Sequence, residues 1–138
     1  MSDAATPWST PGATPQDIED AAAILRGVVH ETELSSSARL CEHTGVEVLL
    51  KREDQQRCRS FKVRGAFARM SALSPVERER GVVCASAGNH AQGVAYASQR
   101  LGVNTVICMP ATTPILKVEA TRALGATVIL HGNGFDDA

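Results

Sequence analysis

From Gly81 onward the chain alternates between short apolar runs and amphipathic stretches, and this pattern constrains its fold more than any other feature. The apolar runs are Val82–Ala85, Thr105–Met109 and Thr127–Leu130. Between them lie one stretch from about Asn89 to Leu101 and another opened by Thr113-Pro114 and closed at Gly125. Strand, helix, strand, helix, strand is the order of right-handed crossovers, and it predicts an α/β chain with an open parallel sheet and flanking helices. Ala91, Gly93, Ala95, Ala97 and Ser98 on the first of those helices are small enough to let it approach a sheet closely.

Upstream, Thr14-Pro15-Gln16-Asp17 combines a cap residue, proline at the first helical position and an acid three residues after the cap. Ile18, Ala22, Leu25 and Val29 follow at helical spacing. A second, shorter helix is expected from the Ser35-Ser36-Ser37 cluster through Leu40 to His43, with Gly45 as its left-handed stop. Val46–Leu50 reads as a strand. The helix that begins near Lys62 is expected to end near Leu73, and Ser74-Pro75 to start a charged turn.

With 43% hydrophobic residues in 138, the chain has material for one modest core, and 14 basic residues against 15 acidic ones give no electrostatic footprint for nucleic acid or membrane. Cys41, Cys58, Cys84 and Cys108 form no CxxC pair, and His30, His43, His90 and His131 lack metal-ligand spacing. Reduced thiols and no metal are expected. Residues 1–14, rich in Ser, Thr, Pro, Gly and Ala, match neither a signal nor a transit peptide and read as a disordered tail. A soluble, cytoplasmic protein is the expectation. Gly132–Ala138 opens like a loop entering a further helix, so the chain is expected to be a fragment.

Chemistry points first to Lys62. It stands between Phe61 and Val63 at a helix start and is one of only three lysines, with Lys51 and Lys117, in a chain whose other basic residues are arginines. A desolvated amine is free to attack an aldehyde such as pyridoxal phosphate, which arginine cannot do. The second locus is Ser86-Ala87-Gly88-Asn89-His90, between the strand Val82–Ala85 and the next helix. Ligands of open parallel sheets bind beyond the carboxyl ends of strands, and helix amides there favour an anion with about half a positive charge. The bland alternative is that Ser86 and Asn89 merely cap the helix. Gly132-Asn133-Gly134 followed by Asp137 breaks the dinucleotide pattern, and no GxxxxGK or GxSxG occurs. Glu53-Asp54 is left without a role.

Lys51-Arg52-Glu53-Asp54, Ser60-Phe61-Lys62-Val63-Arg64-Gly65-Ala66 and the run from Ser86 to Ala95, in this order and spacing, together resemble the threonine dehydratases (threonine ammonia-lyases). These belong to the tryptophan-synthase-β-like, fold type II pyridoxal phosphate enzymes. His131–Asp136 is similar to the family's next loop, so the resemblance covers nearly the whole chain after the tail. Two departures are Thr32-Glu33-Leu34, where the family usually reads Thr-Pro-Leu, and Gln55 in place of an apolar residue.

The resemblance implies pyridoxal 5'-phosphate as cofactor and Lys62 as both its Schiff-base lysine and the base that moves the substrate α proton. It implies Asn89 as hydrogen-bond partner of the cofactor's phenolic oxygen, Phe61 packed on its pyridine ring, and Ser86, Ala87, Gly88, Asn89 and His90 around the substrate carboxylate. The implied reaction is α,β-elimination of L-threonine to 2-oxobutanoate and ammonia, at the entry of isoleucine synthesis, with L-serine as an alternative substrate. Ala87 stands where serine racemases of the same fold carry their acid/base serine, which disfavours racemisation. The implied architecture is 15–55 in a large cofactor domain and 56–138 in a smaller open α/β domain. The phosphate-binding loop and the partner of the pyridine nitrogen belong to later sequence, and the implied assembly is a homo-oligomer. The rival readings are a degradative serine/threonine dehydratase and a non-catalytic fragment that binds a carboxylate.

Overall fold

The computed structural model describes residues 12–138, apart from the Phe135 side chain; residues 1–11, most of the expected tail, lie outside the described residues. Helix α1 spans Pro15–Leu25 and opens on a reciprocal capping box. Asp17 N–H donates to Thr14 Oγ1 at 3.2 Å, and Thr14 N–H donates to Asp17 Oδ2 at 2.7 Å. It stops four residues before Val29 because Gly27 turns left-handed (φ +73°) and the Val28 and Val29 amides fold back onto the Leu25 carbonyl. The expected apolar face is only partly used: Leu25 is buried, while Ile18 remains 65% exposed.

Strand β1, Leu34–Ser36, was not signalled by the sequence; it pairs antiparallel with β2, Leu49–Lys51, with Leu34 opposite Lys51. Between them α2, Ala38–Thr44, runs from Ser37 as cap to Gly45 in the left-handed region (φ +72°), as expected. Strand β2 starts later than Val46, since Gly45 ends the helix and the residues after it carry the chain back to the Ser37 amide, which donates to the Val48 carbonyl at 3.2 Å.

Helix α3, Lys62–Ser71, is two residues shorter than expected, and the charged turn after it is a helix, α4, Pro75–Arg80, with its own Ser74–Glu77 capping box. Then β3 (Val82–Ala85), α5 (Asn89–Leu101), β4 (Thr105–Met109), α6 (Ile115–Arg122) and β5 (Thr127–Leu130) follow in the expected order. The three strands are parallel, in spatial order β3-β4-β5. Successive right-handed crossovers stepping in one direction leave both helices on one face. Ile107 and Met109, fully buried, accordingly pack with Ala91 and Ala95 of α5 and Val118 of α6. The other face, with Val83 75% and Ile129 48% exposed, has no helix on it among the described residues.

Helix α3 lies on the outer side of α5 and forms the other core. Val63, Ala66, Phe67 and Met70 meet Val94 and Ala97 there, with Leu25 and Val28 closing one end. Each fully buried aliphatic of this kind contributes about 1.5–3 kcal/mol. This contact of α3 with α5 fixes the position of Lys62. Cys41, Cys58, Cys84 and Cys108 are free thiols.

Candidate active site

Lys62 is the first residue of α3, one step before fully buried Val63. A helix advances about 100° per residue, so if Val63 faces α5, Lys62 is turned toward the rim. The sequence suggested a half-buried amine; in the described residues Lys62 is exposed. Its Nζ lies 5.0 Å from the centroid of the Phe61 ring, which is itself 58% exposed. The Lys62 N–H, left over at the helix start, donates to Ser60 Oγ at 3.3 Å. Of the other lysines, Lys51 uses Nζ on the Thr32 carbonyl and Lys117 lies exposed on α6, so neither is free beside this site.

Ser86-Ala87-Gly88 leaves the carboxyl end of β3, and the Ser86 amide continues the ladder by donating to the Cys108 carbonyl at 3.0 Å. The first turn of α5 is capped differently from the bland alternative. Gly88, in extended conformation, is the cap residue, and among the described residues no side-chain cap bond is made at this end of α5. Ser86 Oγ instead accepts from Gly88 N–H at 3.3 Å, within its own loop. A Cβ on Gly88 would meet nothing within 4 Å, so the approach to these amides is open. Together, amides without a side-chain acceptor, an exposed Asn89 and an exposed lysine suit a phosphorylated aldehyde and a carboxylate.

Helix α5 joins the two loci. A Cβ on Gly93 would stand 3.1 Å from the Lys62 carbonyl carbon and 3.1 Å from the Val63 nitrogen, so the backbones of α3 and α5 touch there. Asn89 is four residues before Gly93 and therefore shares its face of α5, about one turn toward the open end. The Lys62 backbone and Asn89 thus lie along the same face of α5. His90 is not with them: it lines a groove of about 210 Å³ with Gly65, Arg69 and Cys84.

Sequence reasoning left Glu53 without a role, yet its carboxylate is the most strongly held charge beside the site. Arg64, two residues after Lys62, donates from Nε to Oε2 at 2.9 Å and from Nη2 to Oε1 at 2.6 Å, and Thr32 Oγ1 donates to Oε1 at 2.6 Å. The Arg64 guanidinium is the main reason the Glu53 carboxyl is held down at about 2. Asp54 turns the other way, onto Arg52 at 2.7 Å, so Glu53-Asp54 is not a carboxylate pair. Gln56, 3% exposed, completes the brace by bonding both the amide and the carbonyl of His30. No short motif spacing links residues 32, 53 and 64, so nothing in the sequence signalled this contact.

This geometry has close counterparts. The chain is 53% identical over 125 residues to the L-threonine ammonia-lyase of Thermotoga maritima, covering 91% of this chain and 31% of that protein. It is 46% identical over 128 residues to the biosynthetic L-threonine dehydratase IlvA of Escherichia coli, covering 90% and 25%. The processed threonine deaminase isoform 2 of Solanum lycopersicum superposes with a TM-score of 0.80 at 49% identity over 88% of this chain and 36% of that one. Maize serine racemase superposes with a TM-score of 0.85 at 31% identity over 92% and 39%. The chain therefore spans about a third or less of the curated relatives it matches. From Leu25 to Ala138, the segment that carries the lysine, the open loop and the helix between them, it also matches the model of one family. By that match and these identities, the chain belongs to the pyridoxal-phosphate dependent enzymes.

Proposed function

We propose that this chain supplies the lysine-bearing part of a threonine ammonia-lyase, which eliminates and deaminates L-threonine. The observation that supports the reading is the contact of the Lys62–Val63 peptide with Gly93 on α5, the helix that opens at Asn89 with no side-chain cap bond. The names of the relatives at 46–53% identity support threonine as substrate, and the word biosynthetic in one of them supports a place at the entry of isoleucine synthesis. Bound pyridoxal phosphate supplies the electron sink that stabilises negative charge at the substrate α carbon.

The residues divide the remaining work. Lys62 Nζ would hold the cofactor through its aldehyde carbon and, once free, would take the proton from the substrate α carbon. Asn89 would donate to the cofactor's phenolic oxygen, and Phe61, whose exposed ring lies beside the Lys62 amine, would pack against the pyridine ring. The amides from Ala87 to His90 receive the substrate carboxylate, with Ser86 bracing the loop through Gly88. Departure of the β-hydroxyl removes the elements of water, and hydrolysis restores them, so threonine leaves as 2-oxobutanoate and ammonia. Ala87 offers no exchangeable proton to the opposite face of the α carbon, which supports elimination over racemisation even though a serine racemase shares the fold.

On the same reading, residues 15–55 belong to the larger cofactor domain and 56–138 to the smaller one, in a cytoplasmic homo-oligomer. The test is to incubate the protein with pyridoxal phosphate, reduce with borohydride and map the modified lysine by peptide mass spectrometry. Label is expected on Lys62 in preference to Lys51 and Lys117. In the complete enzyme, Lys62→Ala should abolish threonine deamination and leave the fold intact. Appreciable turnover by that variant would refute the assignment.

A further inference from the structure

The residue that sets where the Lys62 amine can reach carries no side chain. Gly93 is buried, and a methyl group there would stand 3.1 Å from the Lys62 carbonyl carbon, 3.1 Å from the Val63 nitrogen and 3.2 Å from the Lys62 carbonyl oxygen. Ordinary contact for a Cβ begins near 3.4 Å, so the Lys62–Val63 peptide rests directly on the α5 backbone. A second tether ends one residue away: Cys58, 5% exposed, donates its thiol to the Gln92 carbonyl at 3.5 Å and ties the loop before Lys62 to the same turn.

We infer that the Gln92-Gly93 turn of α5 is a seat for the Lys62 peptide, and that Gly93 is a positioning residue for the amine. The inference rests on the assignment of Lys62 made above and adds what holds that lysine in place. Val63, fully buried among the α3–α5 side chains, is fixed by its packing. Displacement at the seat therefore falls on Lys62, whose side chain is exposed and free to follow. A shift of a few tenths of an ångström at the peptide is carried to the end of a long side chain. Misplacement of reacting atoms by about 1 Å costs on the order of a hundredfold in rate.

Gly93 also lies in the interior of a helix, where alanine is favoured over glycine by about 0.5–1 kcal/mol. A merely structural role would thus let Gly93→Ala show itself in thermal stability, whereas a positioning role moves turnover at constant substrate affinity.

The test compares the complete wild-type enzyme with Gly93→Ala and Cys58→Ala. Four readouts are the borohydride-trapped pyridoxal label on Lys62, the visible absorption of the bound cofactor, kcat and KM for threonine, and Tm. For Gly93→Ala the expected result is a kcat lower by about tenfold or more, with KM within about threefold. Slower labelling of Lys62 and a displaced cofactor band should accompany it. Cys58→Ala should move the same readouts in the same direction and less far. A Gly93→Ala enzyme with wild-type kcat and wild-type labelling overturns the inference. Should that variant not fold, Cys58→Ala decides alone: reduced kcat at constant KM supports the seat, and wild-type kcat overturns it. Failure of the underlying assignment is read separately, in the wild type, as absence of label on Lys62.

Discussion

Replacing Glu53 by glutamine tests whether the brace beneath the lysine helix is held by charge. The wild-type carboxylate accepts from Arg64 at 2.6 and 2.9 Å and from Thr32 at 2.6 Å, and these bonds take its pKa from an ordinary 4.5 to about 2. At roughly 1.4 kcal/mol per pKa unit, the pair would contribute about 3 kcal/mol at neutral pH. With the side chains 16% and 31% exposed, solvent screening reduces this to about 2 kcal/mol. Glutamine presents an amide donor to a guanidinium that only donates, so Arg64 also loses a partner while half-buried, and the expected loss is about 2–3 kcal/mol. At about 4 °C per kcal/mol, Tm should fall by roughly 8–12 °C.

Urea unfolding of wild type and Glu53→Gln across pH separates charge from shape. The folded carboxyl titrates below its unfolded counterpart, so its contribution is complete above about pH 4.5 and is lost as pH falls toward 2. The stability gap between the two proteins should be flat from pH 8 to about 5 and narrow steadily below that. A gap under about 0.5 kcal/mol at pH 7, the range of an ordinary surface pair, would refute the reasoning. So would a gap that does not narrow at pH 3.

Two further outcomes are expected. Gly81 enters β3 with φ +83°, and a Cβ there would lie 2.6 Å from the Asn104 carbonyl oxygen that accepts the Val82 amide; Gly81→Ala should therefore lose about 1–3 kcal/mol in urea unfolding, and unchanged stability would contradict the strand entry described. In thiol labelling of the native protein at pH 8, Cys41 should react ahead of Cys58. The Val48 amide, donating at 3.1 Å, lowers the Cys41 thiol, whereas burial raises that of Cys58; equal native rates would count against the Cys58 tether.

The parallel sheet was legible because β3, β4 and β5 are apolar runs separated by amphipathic helices, and the three strands span the same residues as the expected runs, although α6, Ile115–Arg122, is shorter than the stretch from Thr113-Pro114 to Gly125. Strand β1 was not, since Leu34-Ser35-Ser36 has neither length nor apolar character; its partner β2 and the Arg52 amide, which donates to the Glu33 carbonyl at 3.0 Å, hold it extended. Helix α4 was read as a turn because Pro-Val-Glu-Arg-Glu-Arg has no apolar face, and its capping box carries it instead. Lys62 and the Ser86–His90 loop stood out in the sequence because the chemistry proposed for them is local to a motif. Gly93 was read as packing, and Glu53 was left without a role, because the contacts of each depend on a partner distant in sequence: the Lys62 peptide for one, Arg64 and Thr32 for the other.

That division bears on how reaction type is specified. A serine racemase and a threonine deaminase superpose on this chain with TM-scores of 0.85 and 0.80, so the backbone path does not choose between proton return and loss of hydroxide. On the proposed reading the seat on Gly93 and the Glu53–Arg64 brace would act on the backbone that presents the lysine, a requirement common to both reactions. Ala87, in the loop after β3 and without a proton to give, would on that reading face the side of the substrate where the two reactions diverge. On the proposed reading, substitutions at 53 and 93 should slow elimination and any racemisation alike, while only position 87 alters their ratio.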